Sequence, residues 1–217
     1  MSIKRIIKLS QSPSINREIY YENEALGLSI GVSDSIEATS NAILHGCDEF
    51  MCIIKGSLKL INKKTGHSDT LTAGESIVIP NGYDYQGHQQ GSLRIFYVAF
   101  KAQNIGGQAI SEEIVYIDEE SQTPWQNTSD GHRKKILYQS HDQRFTSGVW
   151  QSNTLTTGFI NFPYHEFILI DSGQLICTDE EGITHSFKPG EALFIPQGTV
   201  CSWQVKEKVS IHYVQIN

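Results

Sequence analysis

One pattern is written twice in this chain. Glu49-x6-Gly56, Gly74-x5-Pro80-x-Gly82 and Tyr97-Val98 recur as Glu166-x6-Gly173, Gly190-x5-Pro196-x-Gly198 and Tyr213-Val214. Strands of a small barrel need turn residues at fixed separations, so a recurrence at an offset of 117 and then 116 residues marks two copies of one β domain. The offset changes at the turn where Thr65-Gly66 meets Glu181-Gly182. A one-residue indel in a turn leaves strand register and the inward face undisturbed.

A chain of 217 residues divides into two units of ordinary single-domain size, each able to bury a core. No apolar run approaches the ~18 residues that a membrane span requires. Lys8 interrupts Ile3, Ile6, Ile7 and Leu9, so the start of the sequence holds no continuous apolar region of a secretory signal. A cytoplasmic protein is expected. Cys47, Cys52, Cys177 and Cys201 lie in strand-like segments without C-x-x-C spacing, which suits reduced thiols better than a disulfide framework. The formal charge is -7, and the basic clusters Lys63-Lys64 and Arg133-Lys134-Lys135 are short. Neither a nucleic acid nor a membrane is an expected partner.

Short apolar runs broken by Gly, Asn, Asp or Ser dominate from Leu28 onward, among them Phe50 to Ile54, Leu58 to Ile61, Ser76 to Ile79 and Leu93 to Phe100. The second copy repeats them with Thr157 to Asn161, Phe167 to Ile170, Leu175 to Cys177, Ala192 to Ile195 and Val209 to Ile216. Ile3 to Leu9 reads as a first strand. The expected fold is all-β, a tandem pair of closed barrels or jelly rolls. Residues 1–100 form the first, 101–134 a linker, and 135–217 the second.

These motifs resemble those of the cupin superfamily, E-x6-G followed by G-x5-P-x-G-x2-H, and the match covers both halves. The second copy is most similar to ethanolamine-utilisation cupins and to the second barrel of ureidoglycine aminohydrolases, through Gly148-Val149-Trp150, Glu166, Gly173, Pro196-x-Gly198, Trp203 and Tyr213. The resemblance implies two double-stranded β-helix barrels. It also implies a metal site of two histidines, the motif glutamate and a further histidine in each mouth. That set is eroded. In the first copy His45 and Glu49 remain while Ile43 and Tyr85 stand at the other two places. In the second, Ile160, Phe162 and Cys201 replace histidines and Glu166 alone is kept. His165 neighbours Glu166 and, by strand alternation, faces the other way.

A carboxylate inside an apolar barrel needs a partner. For Glu49 the candidates are His45 and Tyr85; for Glu166 they are Cys201, the Trp203 indole N–H, and Tyr164 or Tyr213. A divalent metal (Mn, Fe, Ni or Zn) on His45 and Glu49 is the other solution. Trp150, Trp203 and Cys201 also read as plain core residues.

The expected activity is binding of a small polar metabolite in the second mouth by Glu166, Cys201, Trp203, Tyr213 and Tyr164, with Glu49 and Tyr85 as counterparts in the first. Two alternatives stand beside it. One is a metal-dependent enzyme on small nitrogen-containing substrates, as the resemblance to ureidoglycine aminohydrolase implies; the other is a metal-free isomerase or epimerase. Cupin barrels commonly pair through outer sheets, so a monomer or a homodimer is expected.

Overall fold

The computed structural model describes residues 5–10, 17–36, 43–44, 46–101, 113–128 and 131–217. All regular elements among them are strands. The chain forms two compact units: Gln11–Ile117 with Ser140–Gln143, and Met1–Ser10 with Asp118–Gln139 and Arg144–Asn217.

In the N-terminal unit six antiparallel strands run in the order Val115–Tyr116, Ser76–Ile79, Asp48–Lys55, Ser92–Phe100, Leu28–Ile36, Arg17–Asn23. A second sheet runs Ile43–Leu44, Asp84–Gln89, Ser57–Asn62, Ser68–Thr72. Met51, Ile53, Ile77 and Ile79 of the first sheet pack on Leu60, Leu71 and Tyr85 of the second. The C-terminal unit repeats this plan. Its larger sheet runs Ile7–Leu9, Ala192–Ile195, His165–Ser172, Val209–Ile216, Phe145–Ser152, His132–Gln139, Gln126–Asn127. Leu155–Thr156, Val200–Val205, Leu175–Asp179 and Thr184–Phe187 form its smaller sheet, with Ile160–Asn161 also paired to Val200–Val205. Ile168, Ile170, Leu193 and Ile195 meet Leu175, Cys177, Phe187 and Cys201 between the two. Each unit is a two-sheet β barrel, as the motif spacing requires.

Local chemistry explains why the motifs sit where they do. Gly56 and Gly173 close the E-x6-G motif with φ of 88° and 80°. A Cβ at either would stand 2.2 Å from a carbonyl oxygen, of Ser92 or of Lys208, so no other residue fits. The P-x-G turns close alike: Tyr83 N donates to Pro80 O, and Thr199 N to Pro196 O. The residue before each glutamate fastens the same turn, Asp48 Oδ1 accepting from Asn81 N and His165 Nδ1 from Gln197 N. His165 therefore lies on the side away from the cavity, stacked on Phe194 at 5.9 Å.

The described residues between 101 and 134 divide between the units instead of forming a linker. Val115–Tyr116 pairs with Ser76–Ile79 in the N-terminal unit, and Asp118 onward belongs to the C-terminal unit. The strand Ile7–Leu9 pairs with Ala192–Ile195, so the start of the chain completes the C-terminal barrel. Strands of two or three residues carry too little periodicity to be assigned a partner from sequence.

Candidate functional site

Glu166 lies on the strand His165–Ser172 in the alternation of Ile168 and Ile170, which points it inward. Directly opposite on the last strand is Gln215, whose Nε2 donates to Glu166 Oε1 at 3.0 Å. The carboxyl is buried, with 5% of the residue exposed. Burial pushes its pKa up to about 7, and the Gln215 hydrogen bond and the field of Lys134 only partly oppose the rise. The expected partners Cys201, Trp203, Tyr164 and Tyr213 do not hydrogen-bond this carboxyl. Gln215 does, because it lies two residues beyond Tyr213 on the same face of the strand.

Above Glu166 opens a cavity of about 380 Å³. Its apolar wall is Trp150, Leu155, Ile160, Phe162, Trp203 and Ile211; Glu166, Gln215, Tyr164, Tyr213 and Lys134 supply polar groups. Thr128, His132 and Thr157 complete the lining. Trp203 packs edge-on against Trp150 at 5.9 Å and tilted on Phe162 at 5.5 Å, so the aromatic wall is rigid. Its indole N–H is buried beside the Cys201 thiol. Tyr164 is pushed up to about 12 by burial and then by Glu166. Tyr213 is raised for the same two reasons, and its hydroxyl reaches Lys135 O at 3.4 Å. Both phenols stay protonated donors at neutral pH.

The strand behind Tyr213 must approach closely. A Cβ on Gly148 would stand 1.9 Å from Lys135 O and 3.1 Å from the Tyr213 hydroxyl. Gly31 repeats this in the N-terminal unit, 2.1 Å from Glu18 O and 2.7 Å from the Tyr97 hydroxyl.

Four of the expected residues, Glu166, Trp203, Tyr213 and Tyr164, thus share one cavity. Cys201 does not line it: the residue is fully buried in the core, and burial pushes its thiol up to about 12. It acts as a small hydrophobe. Trp150, read from sequence as a core residue, also lines the site, and Lys134 and Gln215 join it unannounced, although Gln215 followed from strand parity once Tyr213 was placed inward. In the N-terminal unit Glu49 is half-buried and shares the inward face with Met51 and Ile53. Tyr85 is buried against Tyr83, ring centroids 5.7 Å apart, and is raised by burial and then by Glu49. Glu49 and Tyr85 therefore lie within each other's field. His45 falls outside the described residues.

Residues 139–213 match the family model of the EutQ-like cupin domain. The fold is that of a two-barrel cupin. Over the whole chain, a DUF861-family protein of unknown function from Pseudomonas syringae pv. tomato superposes with a TM-score of 0.81 at 19% identity, covering 97% of this chain and 98% of that one. A cupin 2 conserved barrel domain protein from Leptotrichia buccalis gives 0.69 at 11%, covering 100% and 98%. Streptomyces albus HEPD, with 2-hydroxyethylphosphonate and Fe(II) bound, gives 0.61 at 8%, covering 98% and 73%. Likeness at such identities is one of fold. Among curated protein sequences none matches this chain.

One of these structures holds Fe(II), which raises the question of whether the residues of this chain fit a metal. A divalent cation wants three or four N, O or S ligands from the protein. Around Glu166 stand an amide, two protonated phenols, a lysine and a buried neutral thiol. Among the described residues no group of three His, Cys, Asp or Glu side chains is arranged to hold a metal. The C-terminal cavity does not fit a cation cage.

Proposed function

We propose that the C-terminal cupin barrel binds a small polar metabolite directly, through organic hydrogen-bonding groups. One observation carries this reading: Glu166 faces a walled cavity with, among the described residues, one hydrogen-bond partner, Gln215, leaving its second oxygen to a ligand. Aromatic walls with a few converging polar groups are the usual make-up of a small-molecule pocket. Four cysteines outside any disulfide suit a reducing, cytoplasmic setting, and the protein acts as a monomer or homodimer without nucleic acid or membrane.

Thermal-shift screening of amines, sugars and ureides tests the reading. A ligand at a hundredfold its Kd adds about 2.7 kcal/mol of stability, a shift of several degrees in a barrel of this size. At least one class shifts the wild type, and Glu166→Gln abolishes that shift. A silent panel, with Glu166→Gln indistinguishable from wild type, sinks the proposal.

A second reading draws on the same carboxyl. A group titrating near neutrality suits proton transfer of the isomerase or epimerase kind, and such activity would survive exhaustive chelation. Metal-dependent turnover of a nitrogen-containing substrate belongs instead to the N-terminal barrel, through His45 and Glu49, with Tyr85 nearby. Elemental analysis after chelator-free purification decides it: metal well below one equivalent per chain rejects that enzyme.

A further inference from the structure

Two opposite charges face the C-terminal cavity and are not spent on each other. Lys134 and Glu166 both line it, yet no ion pair joins them. Lys134 is half-buried and, among the described residues, makes no hydrogen bond or ion pair; only its field reaches Glu166. Other cations of this chain are used differently. Its neighbour Lys135, which is buried, donates to Glu119 O and Ser121 O. Arg17, which holds the place of Lys134 in the first copy, donates from Nε to the Tyr97 hydroxyl at 2.8 Å and stacks over that ring at 4.3 Å. The cation of the C-terminal cavity is thus held half-desolvated with no partner, opposite an acid whose second oxygen is also unclaimed.

A ligand bearing one charge would satisfy one of these groups and leave the other desolvated beneath it. An amine would meet repulsion from Lys134, and an acid would meet repulsion from ionised Glu166. A molecule carrying both charges avoids each penalty. We infer that this cavity takes an organic zwitterion, its cationic nitrogen on Glu166, its anionic group toward Lys134, and its hydrocarbon body against Trp150 and Trp203. Indole faces also favour a nearby cation. The inference rests on the reading of this cavity as a metabolite site and narrows it to one ligand class.

Matched triples test it by calorimetry on the full chain at pH 7.5. Each triple keeps one hydrocarbon body and varies the charge: phenylalanine, phenethylamine and hydrocinnamate; leucine, isoamylamine and isocaproate; aminocaproate, pentylamine and caproate. In at least one triple the zwitterion binds about tenfold or more tightly than both its amine and its acid. Glu166→Gln then lowers the zwitterion to the affinity of the acid, and Lys134→Met lowers it to that of the amine. Both substitutions roughly preserve shape; should either misfold, the wild-type triples decide alone. An amine or acid that matches its zwitterion overturns this inference and leaves the metabolite site standing. Silence from all nine compounds also overturns it, while the sugar and ureide screen judges the site itself.

Discussion

Glu49 and Glu166 occupy the same place in two copies of one strand, and their surroundings have parted. Across the sheet from Glu166 stands Gln215; across from Glu49 stands Ala99. Applying the repeat offset, Trp150, Trp203 and Tyr164 of the second copy answer to Ser33, Gly87 and Cys47 of the first, and Lys134 answers to Arg17. Backbone devices have not parted. Gly31 and Gly148 both lie under a tyrosine hydroxyl, and the strand crossing each carries the same irregularity, between Ile19 and Tyr21 and between Ile136 and Tyr138. Positions that shape the barrel are duplicated because a Cβ or a register slip there would break it, whereas positions that fill the mouth answer only to what the mouth must hold.

The aromatic wall offers the largest test of that contrast. Trp203→Ala removes a residue that Phe162 and Trp150 pack against, and it is expected to cost about 3–5 kcal/mol in denaturant unfolding and to abolish ligand-induced stabilisation. If the loss is under about 1 kcal/mol, the wall is not part of the C-terminal core.

The shared scaffold comes next. Gly31→Ala and Gly148→Ala each force a Cβ against a backbone carbonyl and should each cost about 2–3 kcal/mol. The two losses are expected to be equal within about 1 kcal/mol. A tolerated substitution in one copy alone would show that the scaffold has diverged too.

Protonation gives a third test, with a definite sign. Unfolded, Glu166 ionises near 4.5; folded, near 7. Between those values the folded barrel holds a proton that the unfolded chain releases, so the burial penalty is absent below about pH 4.5, grows with pH and is complete above pH 7. Glu166→Gln should therefore stabilise the ligand-free protein by roughly 2–3 kcal/mol at pH 8 and by almost nothing at pH 4. Glu49→Gln, at a half-buried position, is expected to change stability by less than about 1 kcal/mol at either pH. Equal responses from the two glutamates would erase the contrast between the copies.

Gln215→Ala is the mildest change to the C-terminal site. It removes one hydrogen bond from a buried carboxyl and should cost about 1–2 kcal/mol at pH 8, where the acid is ionised, and less at pH 5. A cost independent of pH would mean that Gln215 serves packing alone.

Much of this was legible in the sequence. The recurrence of Gly, Pro and Glu gave the barrels, because those residues answer to backbone geometry and leave a trace that burial cannot hide. Glu166, Trp203, Tyr213 and Tyr164 came together as expected because strand parity sets the inward face. Cys201 did not, since parity tells which face a residue takes and not whether it ends in the mouth or beneath it. Gln215 obeyed parity but was passed over because an amide two residues from the end of the chain has no motif. Lys134 fell at the end of a stretch read as linker, because the polar run His132-Arg133-Lys134-Lys135 masks the first half of a strand that pairs with Phe145–Ser152 across a short turn. The exchange of Ile7–Leu9 and Val115–Tyr116 between distant parts of the sequence was illegible because strands of two or three residues carry too little periodicity.

The central claim is that the acid of the C-terminal barrel is held inside by organic donors. Carbon-detected NMR of the Glu166 carboxyl in chelator-treated protein tests it most directly. A titration midpoint near pH 7 that rises further in Gln215→Ala is the result expected, because that substitution removes a hydrogen bond favouring the ionised form. A midpoint at or below 4.5, unmoved by the loss of Gln215, would contradict the account.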